Sequence, residues 1–322
     1  MNKTMKRPGM GWLPDYPDFR DYNGETDRLG SRLERVGQKD TVKAMLTKLR
    51  VAAPARAALP ASVDLRKWCS PIENQGNLGS CTAHAGVGVV EYFERRAFGK
   101  HLDASRLFLY KVTRNLLHLT GDTGAYLRST MAAMLLFGVP PEEYWPYDTA
   151  AFEQEPSAFC YAFAQSYQAI AYHRLDPKGT SGAALLAKIK SYLAAGLPAM
   201  FGFTVFDSYE QADTTGKIPF PARVEDVVGG HAVVAVGYDD ALKIKNAGPG
   251  AAETTGALLI RNSWGTGWGE KGYGWLPYEY VLQGLAEDWW SLLKNEWVDT
   301  GNFGLPEEAA EGPARKARRA AH

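Results

Sequence analysis

The stretch Gln75-Gly76-Asn77-Leu78-Gly79-Ser80-Cys81-Thr82-Ala83-His84 places a cysteine between a turn-forming run and a helical pattern. Apolar residues at Ala83, Val87 and Val90 predict a helix from Thr82 to Arg96 with one buried face. Because glycine and serine directly precede it, we expect Cys81 at the start of that helix, at the positive end of the helix dipole. A helix start and a nearby imidazole are the surroundings that activate a thiol as a nucleophile.

Two downstream motifs supply an imidazole and an amide. His231 lies in Gly230-His231-Ala232 and precedes an apolar run that predicts a buried strand. Asn262 follows the apolar run Leu258-Leu259-Ile260 in the same way. Two neighbouring strands would bring His231 and Asn262 together, so the sequence predicts a nucleophile, a base and a group that orients the base.

The chain resembles the papain (C1) family of cysteine peptidases from about Leu59 to about Tyr280. The order Cys, His, Asn, with roughly 150 residues between the first two, fits that family. Its most specific segment is Leu259-Ile260-Arg261-Asn262-Ser263-Trp264-Gly265-Thr266-Gly267-Trp268-Gly269-Glu270-Lys271-Gly272-Tyr273. The resemblance implies an α+β fold within residues 59–298. We expect a helical subdomain over about 61–162 and an antiparallel, barrel-like β subdomain over about 163–298, with an inserted helix at 183–195 and the cleft between them.

Carried over by position, the resemblance makes Cys81 the nucleophile and His231 its ion-pair partner and general acid/base. Asn262 would orient the imidazole, and Trp264 would cover the hydrogen bond between them. Gln75, six positions before Cys81, would donate its side-chain amide to the oxyanion hole together with the Cys81 backbone N–H. Such donors stabilise charge that develops only in the transition state.

The resemblance also implies substrate contacts. Asp122, Thr123 and Gly124 would pair in an extended fashion with the substrate backbone. The pocket for the second residue before the scissile bond would be framed by Tyr126, Gly202 and Ala232. Because these residues are neutral, we expect an apolar or aromatic side chain there, and no acidic residue is evident that would receive a basic one.

The chain departs from the family at the residue after the nucleophile and at the cysteines of a disulfide. Thr82 replaces a tryptophan after the nucleophile, Leu78 replaces a cysteine, and the stretch from Thr120 to Tyr126 lacks the partner cysteine. With three cysteines in all, the chain resembles the bacterial branch of the family. Cys69 and Cys160 could pair, but we favour free thiols. For His84, one turn after the nucleophile, a core role is favoured over a catalytic one.

The 58 residues before the recognisable enzyme contain an arm from Trp12 to Tyr22, a short helix and a linker. We expect that helix to have Asp40 as its N-cap and to bury Val42, Met45, Leu46 and Leu49. Two interpretations are open: residues 1–58 are an inhibitory propeptide removed near Ala58, or they are a permanent structural brace. Residues 299–322 are predicted to be a disordered tail.

Composition excludes several classes of function. Of 322 residues, 45% are hydrophobic, and the net charge is zero with a pI of about 7.0. The chain lacks the excess of basic residues that would indicate binding to nucleic acid or to an anionic membrane. The N-terminus has no apolar signal core, and no apolar run could span a bilayer, so a cytoplasmic location is expected. No histidine spacing fits a metal site, and no cofactor is expected.

The predicted function is hydrolysis of peptide bonds in a peptide or protein substrate, by an endopeptidase that forms a thioester acyl-enzyme. It is made as a zymogen if residues 1–58 are a propeptide rather than a brace. Two alternatives use the same residues differently. One is acyl transfer or peptide ligation, in which an amine replaces water. The other is a catalytically silent peptide-binding module.

Overall fold

The computed structural model describes residues 8–35, 37–51, 59–165 and 171–306. Its helices follow the predicted pattern, and Ser105 and Ser181 cap two of them by accepting the backbone N–H of Phe108 and Ala184. The predicted inserted helix is present. In chain order the helices are α1 (Ser31–Arg35), α2 (Val42–Lys48), α3 (Cys81–Phe98), α4 (Arg106–Leu116), α5 (Leu127–Phe137), α6 (Ala158–Ala164), α7 (Gly182–Ala194), α8 (Tyr278–Leu282) and α9 (Asn295–Val298).

The strands form one large antiparallel sheet and one small parallel pair. The pair is β1 (Trp12–Leu13) with β3 (Ala125–Tyr126). The strands of the large sheet are β2 (Ser62–Asp64), β4 (Ala171–Arg174), β5 (Ala199–Phe206), β6 (Val227–Lys245), β7 (Glu253–Arg261), β8 (Tyr273–Pro277) and β9 (Ala286–Leu293). Their order in the sheet is β4-β9-β5-β6-β7-β8, with β2 alongside β6.

The α+β fold class is confirmed, with two differences in detail. The sheet is open rather than barrel-like, because within the described residues its outer strands β4 and β8 do not pair with each other. The subdomain limits also shift slightly: β2 belongs to the sheet although it precedes the helices, and α6 extends to Ala164. Helix α3 packs against β6, so the cleft forms where the start of α3 meets the sheet.

The N-terminal region packs on both subdomains. Helix α2 buries Val42, Met45 and Leu46 as predicted, but its N-cap is Thr41, whose hydroxyl accepts the Ala44 N–H at 3.1 Å. Asp40 was the wrong candidate, because its carboxylate is taken up by Lys48 and Asn295. The predicted linker falls largely on residues 52–58, which lie outside the described residues.

The C-terminal tail begins later than predicted. Phe303 and Leu305 are buried, and the Leu305 N–H donates to the Leu49 carbonyl at 3.1 Å. The prediction of disorder from residue 299 is therefore wrong for residues 299–305, and residues 307–322 lie outside the described part of the chain. Within the described residues, no helix has both the length and the apolarity to cross a bilayer.

Candidate active site

Cys81 is the first residue of α3, as predicted, and its side chain is fully buried. Burial raises the pKa of the Cys81 thiol to about 11, and the backbone amides of Ala232, Gly11 and Thr82 oppose that rise. Ala232 is the residue after His231, so the sheet brings the histidine strand to the start of the helix. In this closed arrangement, the thiol is protonated at neutral pH.

His231 and Asn262 meet across neighbouring strands. His231 lies in β6, Asn262 directly follows β7, and the His231 Nε2 to Asn262 Oδ1 distance is 2.8 Å. Asn262 Oδ1 also accepts the Ser263 backbone N–H at 2.7 Å, which fixes this atom as the amide oxygen. Nε2 of His231 must therefore carry the proton. Its Nδ1, which has no hydrogen-bond partner in the described structure, keeps a lone pair for a proton from a thiol.

Trp264 covers the histidine. The indole stacks on the His231 ring with centroids 4.5 Å apart and an angle of 21° between the planes. His231 is fully buried, and this burial lowers its pKa to about 4, with the Asn262 hydrogen bond opposing the shift. Burial thus favours the neutral imidazole in the closed site, as it favours the protonated form of the Cys81 thiol.

Gln75 is held in one orientation by its neighbours. Its Oε1 accepts the Ser263 hydroxyl at 2.5 Å, and its backbone N–H donates to the Ser263 carbonyl at 2.8 Å. Its Nε2 donates to the Leu78 carbonyl at 2.8 Å and to the Gly9 carbonyl at 3.0 Å. The side-chain amide that the resemblance assigns to the oxyanion hole is thus bonded to the N-terminal region of the same chain.

That N-terminal region runs through the cleft. The Gly9 N–H donates to Gly76 O at 2.9 Å, and the Trp264 indole N–H donates to Gly9 O at 3.3 Å. The Ala125 N–H donates to Gly11 O at 2.8 Å, which begins the parallel β1–β3 pairing. We call residues 8–13 the gate segment. The sequence predicted an arm from Trp12 to Tyr22, but it gave no sign that Gly9 and Gly11 lie against Gln75 and Cys81.

Glycines make this close approach possible. A Cβ added to Gly11 would lie 2.0 Å from the Gly79 carbonyl oxygen. A Cβ added to Gly124, which has a φ of +74°, would lie 2.2 Å from the Gly11 carbonyl oxygen. The gate segment therefore fits between two backbone walls only because neither side carries a side chain at these positions.

The predicted substrate-pairing stretch divides into two parts. The Asp122 carboxylate points inward, where it accepts the Gly79 N–H at 2.8 Å and the Tyr110 hydroxyl at 2.6 Å. The Thr123 hydroxyl donates to Gly124 O at 3.2 Å, and the backbone after Gly124 pairs with the gate segment. The Asp122 side chain thus ties the cleft wall to the loop before Cys81. Substrate pairing along Asp122 to Gly124 stays a prediction.

The predicted pocket holds the side chain of Trp12. A Cβ added to Gly202 would lie 1.9 Å from the Trp12 indole, and Gly202 pairs with Ala232 across β5 and β6. Tyr126 pairs with Leu13 next to it. The Trp12 Nε1 donates to Asp288 Oδ2 at 3.2 Å. The expectation that no acidic group lies here is therefore wrong.

Several other candidates lie apart from the catalytic group. The three cysteines Cys69, Cys81 and Cys160 are all free, so the favoured interpretation of Cys69 and Cys160 holds. His84 is buried, and its Nδ1 lies 3.1 Å from the Ser80 carbonyl oxygen, which fits a core role. Among the described residues no group of histidine, cysteine and carboxylate side chains could hold a metal ion.

The comparisons with known proteins agree on one family. Residues 59–288 match the model of the papain family of cysteine proteases. An uncharacterised peptidase C1-like protein of Acanthamoeba polyphaga mimivirus is 34% identical over 225 residues, which are 68% of this chain and 68% of the viral protein. Cathepsin K of Gallus gallus is 29% identical over 218 residues, 66% of this chain and 58% of that protein. The structure of xylellain, a cysteine protease from Xylella fastidiosa, matches with a TM-score of 0.67 and 31% identity, covering 90% of this chain and 97% of xylellain.

A cysteine at a helix start that faces a histidine strand across a cleft defines the class, a cysteine peptidase. The chain belongs to the papain family of cysteine proteases.

Proposed function

We propose that this peptidase is a latent endopeptidase whose triad is Cys81, His231 and Asn262. The observation that carries the proposal is the fixed state of the His231 ring. Asn262 holds its Nε2–H, Trp264 covers one face, and Nδ1 is left as an acceptor. A neutral imidazole in this tautomer can take the thiol proton as soon as substrate or solvent stabilises the resulting charges.

The reaction then follows from these positions. The Cys81 thiol gives its proton to His231 Nδ1, and the thiolate attacks the scissile carbonyl carbon. The oxyanion accepts hydrogen bonds from Gln75 Nε2 and the Cys81 N–H, and His231 protonates the departing amine. Water, deprotonated by His231, then attacks the thioester and releases the carboxylic acid and the thiol.

An endopeptidase is favoured because the gate segment extends along the cleft on both sides of Cys81. Gly9 lies beside Trp264 and Gln75, Gly11 lies beside Cys81, and Leu13 lies beside Tyr126. An extended chain can therefore occupy the cleft on both sides of the nucleophile. An exopeptidase would need one of these ends closed by a group that binds a chain terminus.

We propose that latency comes from the gate segment alone. Its Gly9 carbonyl takes up the Gln75 donor, and its residues bury Cys81. The β1–β3 pairing is parallel, so the gate segment runs opposite to any chain that would pair antiparallel with β3. The described residues that follow, 14–35 and 37–51, act as a brace that joins both subdomains.

The contacts of the brace support this division. Arg128 pairs with Asp15 at 2.6 Å and with Asp21 at 2.8 Å, and the Arg174 N–H donates to Tyr22 O at 2.7 Å. Asn295 Oδ1 accepts the Lys39 N–H at 2.9 Å. A cut near Ala58 would leave all these contacts intact. A cut near Tyr16 and Phe19, which are 89% and 94% exposed, would divide the chain between the gate segment and most of the brace, and only the Asp15 contacts would stay on the gate fragment.

The experiment is labelling of the full chain by an epoxide probe for cysteine peptidases, in wild type and Cys81→Ala, together with product masses from peptides incubated with and without an added amine. In the labelling assay, we expect the probe to react only with protein that contains Cys81. In the product analysis, we expect cleavage products that carry a free carboxylate. Products joined to the amine would indicate acyl transfer instead of hydrolysis. A Gly11→Ala chain, in which the added Cβ displaces the gate segment, that binds peptides but is not labelled would indicate a silent binding module. Mass analysis of the active protein gives the cut site, and loss of residues 1–58 as one piece would contradict the division into gate and brace.

A further inference from the structure

The pocket that holds Trp12 ends in a buried carboxylate. The indole lies against the backbones of Gly202 and Gly230, and its Nε1 reaches Asp288 Oδ2 at 3.2 Å. Asp288 has no exposed surface. No step of the catalytic cycle proposed above uses this carboxylate, so catalysis does not explain why it lies at the end of a cleft pocket.

A distorted strand holds Asp288 in place. Its φ is +61°, a left-handed conformation that non-glycine residues seldom adopt, and the pairing of β5 with β9 shifts register at this point. Asp176 accepts the N–H groups of Asp288 and Trp289 at 2.9 and 3.0 Å, which fixes the distortion. Strained backbone that persists because its neighbours over-determine it is typical of functional positions.

The two oxygens of Asp288 have different partners. Oδ1 accepts the Trp290 indole N–H at 2.7 Å and pairs with Arg174 at 3.0 Å. Oδ2 receives its hydrogen bond from Trp12, and the described residues offer it no second donor. When the gate segment leaves, Oδ2 becomes an acceptor without a partner in a buried pocket, and such a group costs free energy until a donor replaces the lost one.

We propose that Asp288 makes this pocket selective for a tryptophan side chain of the substrate, recognised through its indole N–H. The proposal rests on the proposed peptidase function and adds a specificity determinant to it. The flat space against Gly202 and Gly230 accepts an aromatic ring, and Oδ2 at its end requires a donor. The side chain that fills the pocket here, the Trp12 indole, is a neutral donor of this shape, so a substrate tryptophan would reproduce both the ring contact and the hydrogen bond.

The test on substrates is an internal competition. Wild-type full chain receives an equimolar mixture of two peptides that differ only in the second residue before the cleaved bond, tryptophan or benzothienylalanine, which has the same shape with sulfur in place of N–H. The ratio of their kcat/KM values does not depend on the fraction of enzyme that is open. We expect the tryptophan peptide to react about tenfold faster or more, since a site built to bind an N–H rejects an analogue that lacks it. Equal rates would overturn the proposal.

Two variants assign the effect to Asp288. In Asp288→Asn the amide oxygen is drawn to the side of Trp290 and Arg174, so its NH2 group faces the indole N–H and the preference for tryptophan should vanish. Glu287→Gln is the matched control, because Glu287 is the neighbouring carboxylate and is exposed; it should keep the wild-type ratio. A tryptophan preference that survives in Asp288→Asn would also overturn the proposal.

A readout that needs no peptide cleavage separates this proposal from the proposed function. Alkylation of Cys81 by iodoacetamide, followed by peptide mass, reports how often the gate segment lifts. Trp12→Phe removes the indole N–H and should raise the alkylation rate about tenfold in wild type but hardly at all in Asp288→Asn. If no peptide is cleaved but this difference appears, the peptidase function fails and the recognition by Asp288 stands. An equal increase in both backgrounds would refute the recognition.

Discussion

The carbonyl oxygen of Gly9 accepts a hydrogen bond from Nε2 of Gln75 at 3.0 Å. A carbonyl from the N-terminal region thus occupies the donor that the proposed mechanism assigns to the oxyanion. The glycine has no side chain to bind, so the contact depends on backbone position alone. Perturbing the path of the backbone should therefore release the donor without touching any catalytic residue.

Gly11→Ala should activate the full chain. The added Cβ would lie 2.0 Å from the Gly79 carbonyl oxygen, so the gate segment cannot keep its place. We expect probe labelling of Cys81 to increase tenfold or more, with little change in the melting temperature because the brace is untouched. Gly24→Ala is the control, since its Cβ would meet its nearest neighbour at an ordinary 3.5 Å. Equal labelling of wild type and Gly11→Ala would count against the gate.

The pH dependence of Cys81 alkylation should differ between closed and open forms. Burial raises the pKa of the thiol to about 11 in the closed form, so its alkylation rate should rise with pH across the whole range from 6 to 10. In Gly11→Ala the thiol regains solvent and its histidine partner, and the rate should level off at a much lower pH. Rate profiles of the two proteins under the same conditions check this, and superimposable profiles would contradict it.

Three buried histidines should make the protein less stable in acid, whereas Asp288, whose pKa burial raises to about 7, acts in the opposite direction. Burial lowers the pKa of His84 and His173 to about 3 and that of His231 to about 4. Between the ordinary value of about 6.5 and these values the unfolded chain binds protons that the folded chain does not, so stability falls as the pH falls. At pH 5 the loss is about 2 kcal/mol per histidine. Urea unfolding from pH 7 to 5 measures it, and His173→Gln should show a shallower slope; an unchanged slope would rule out a contribution from His173.

Asp122 should matter for stability and for the cleft wall. Its Oδ1 accepts both the Gly79 N–H and the Tyr110 hydroxyl, so Asp122→Ala leaves two partly buried donors unpaired and should cost about 1 to 3 kcal/mol. Asp122→Asn keeps an oxygen at that position and should retain most of the stability and activity. Unfolding curves and kcat of both variants make the comparison. Equal losses would show that the charge, rather than the acceptor position, is what matters.

The sequence predicted the positions of Cys81, His231 and Asn262 in the fold well, for a physical reason. Cys81 lies at a helix start and His231 and Asn262 lie on adjacent strands, and these elements have clear periodicity and turn signals. The gate segment has no such pattern, because irregular chain held by glycine backbones leaves no periodic signal. Asp288 could not be placed either, since only the shifted register of β9 turns its side chain toward the pocket.

A smaller error has the same kind of cause. Asp40 and Thr41 are neighbours, and both residue types cap helices well. Which of them becomes the cap depends on Asn295, a residue distant in sequence that bonds the Asp40 carboxylate. Local propensity allowed either residue, and tertiary contacts decided between them.

The anchoring of Asp15 by Arg128 and Arg174 has a quantitative consequence for how the enzyme would be switched on. A gate segment that lifts from the cleft remains tied to this anchor by only a short stretch of chain, so its local concentration at the cleft is millimolar or higher. Dilution cannot lower that concentration, and the cleft refills after each opening unless the tether is cut or a substrate binds more tightly. The full chain should therefore be as inactive at nanomolar as at micromolar protein concentration. A separate substrate that binds the cleft as tightly as the gate segment must exceed the local concentration of that segment before turnover begins, and a substrate that binds more tightly needs proportionally less.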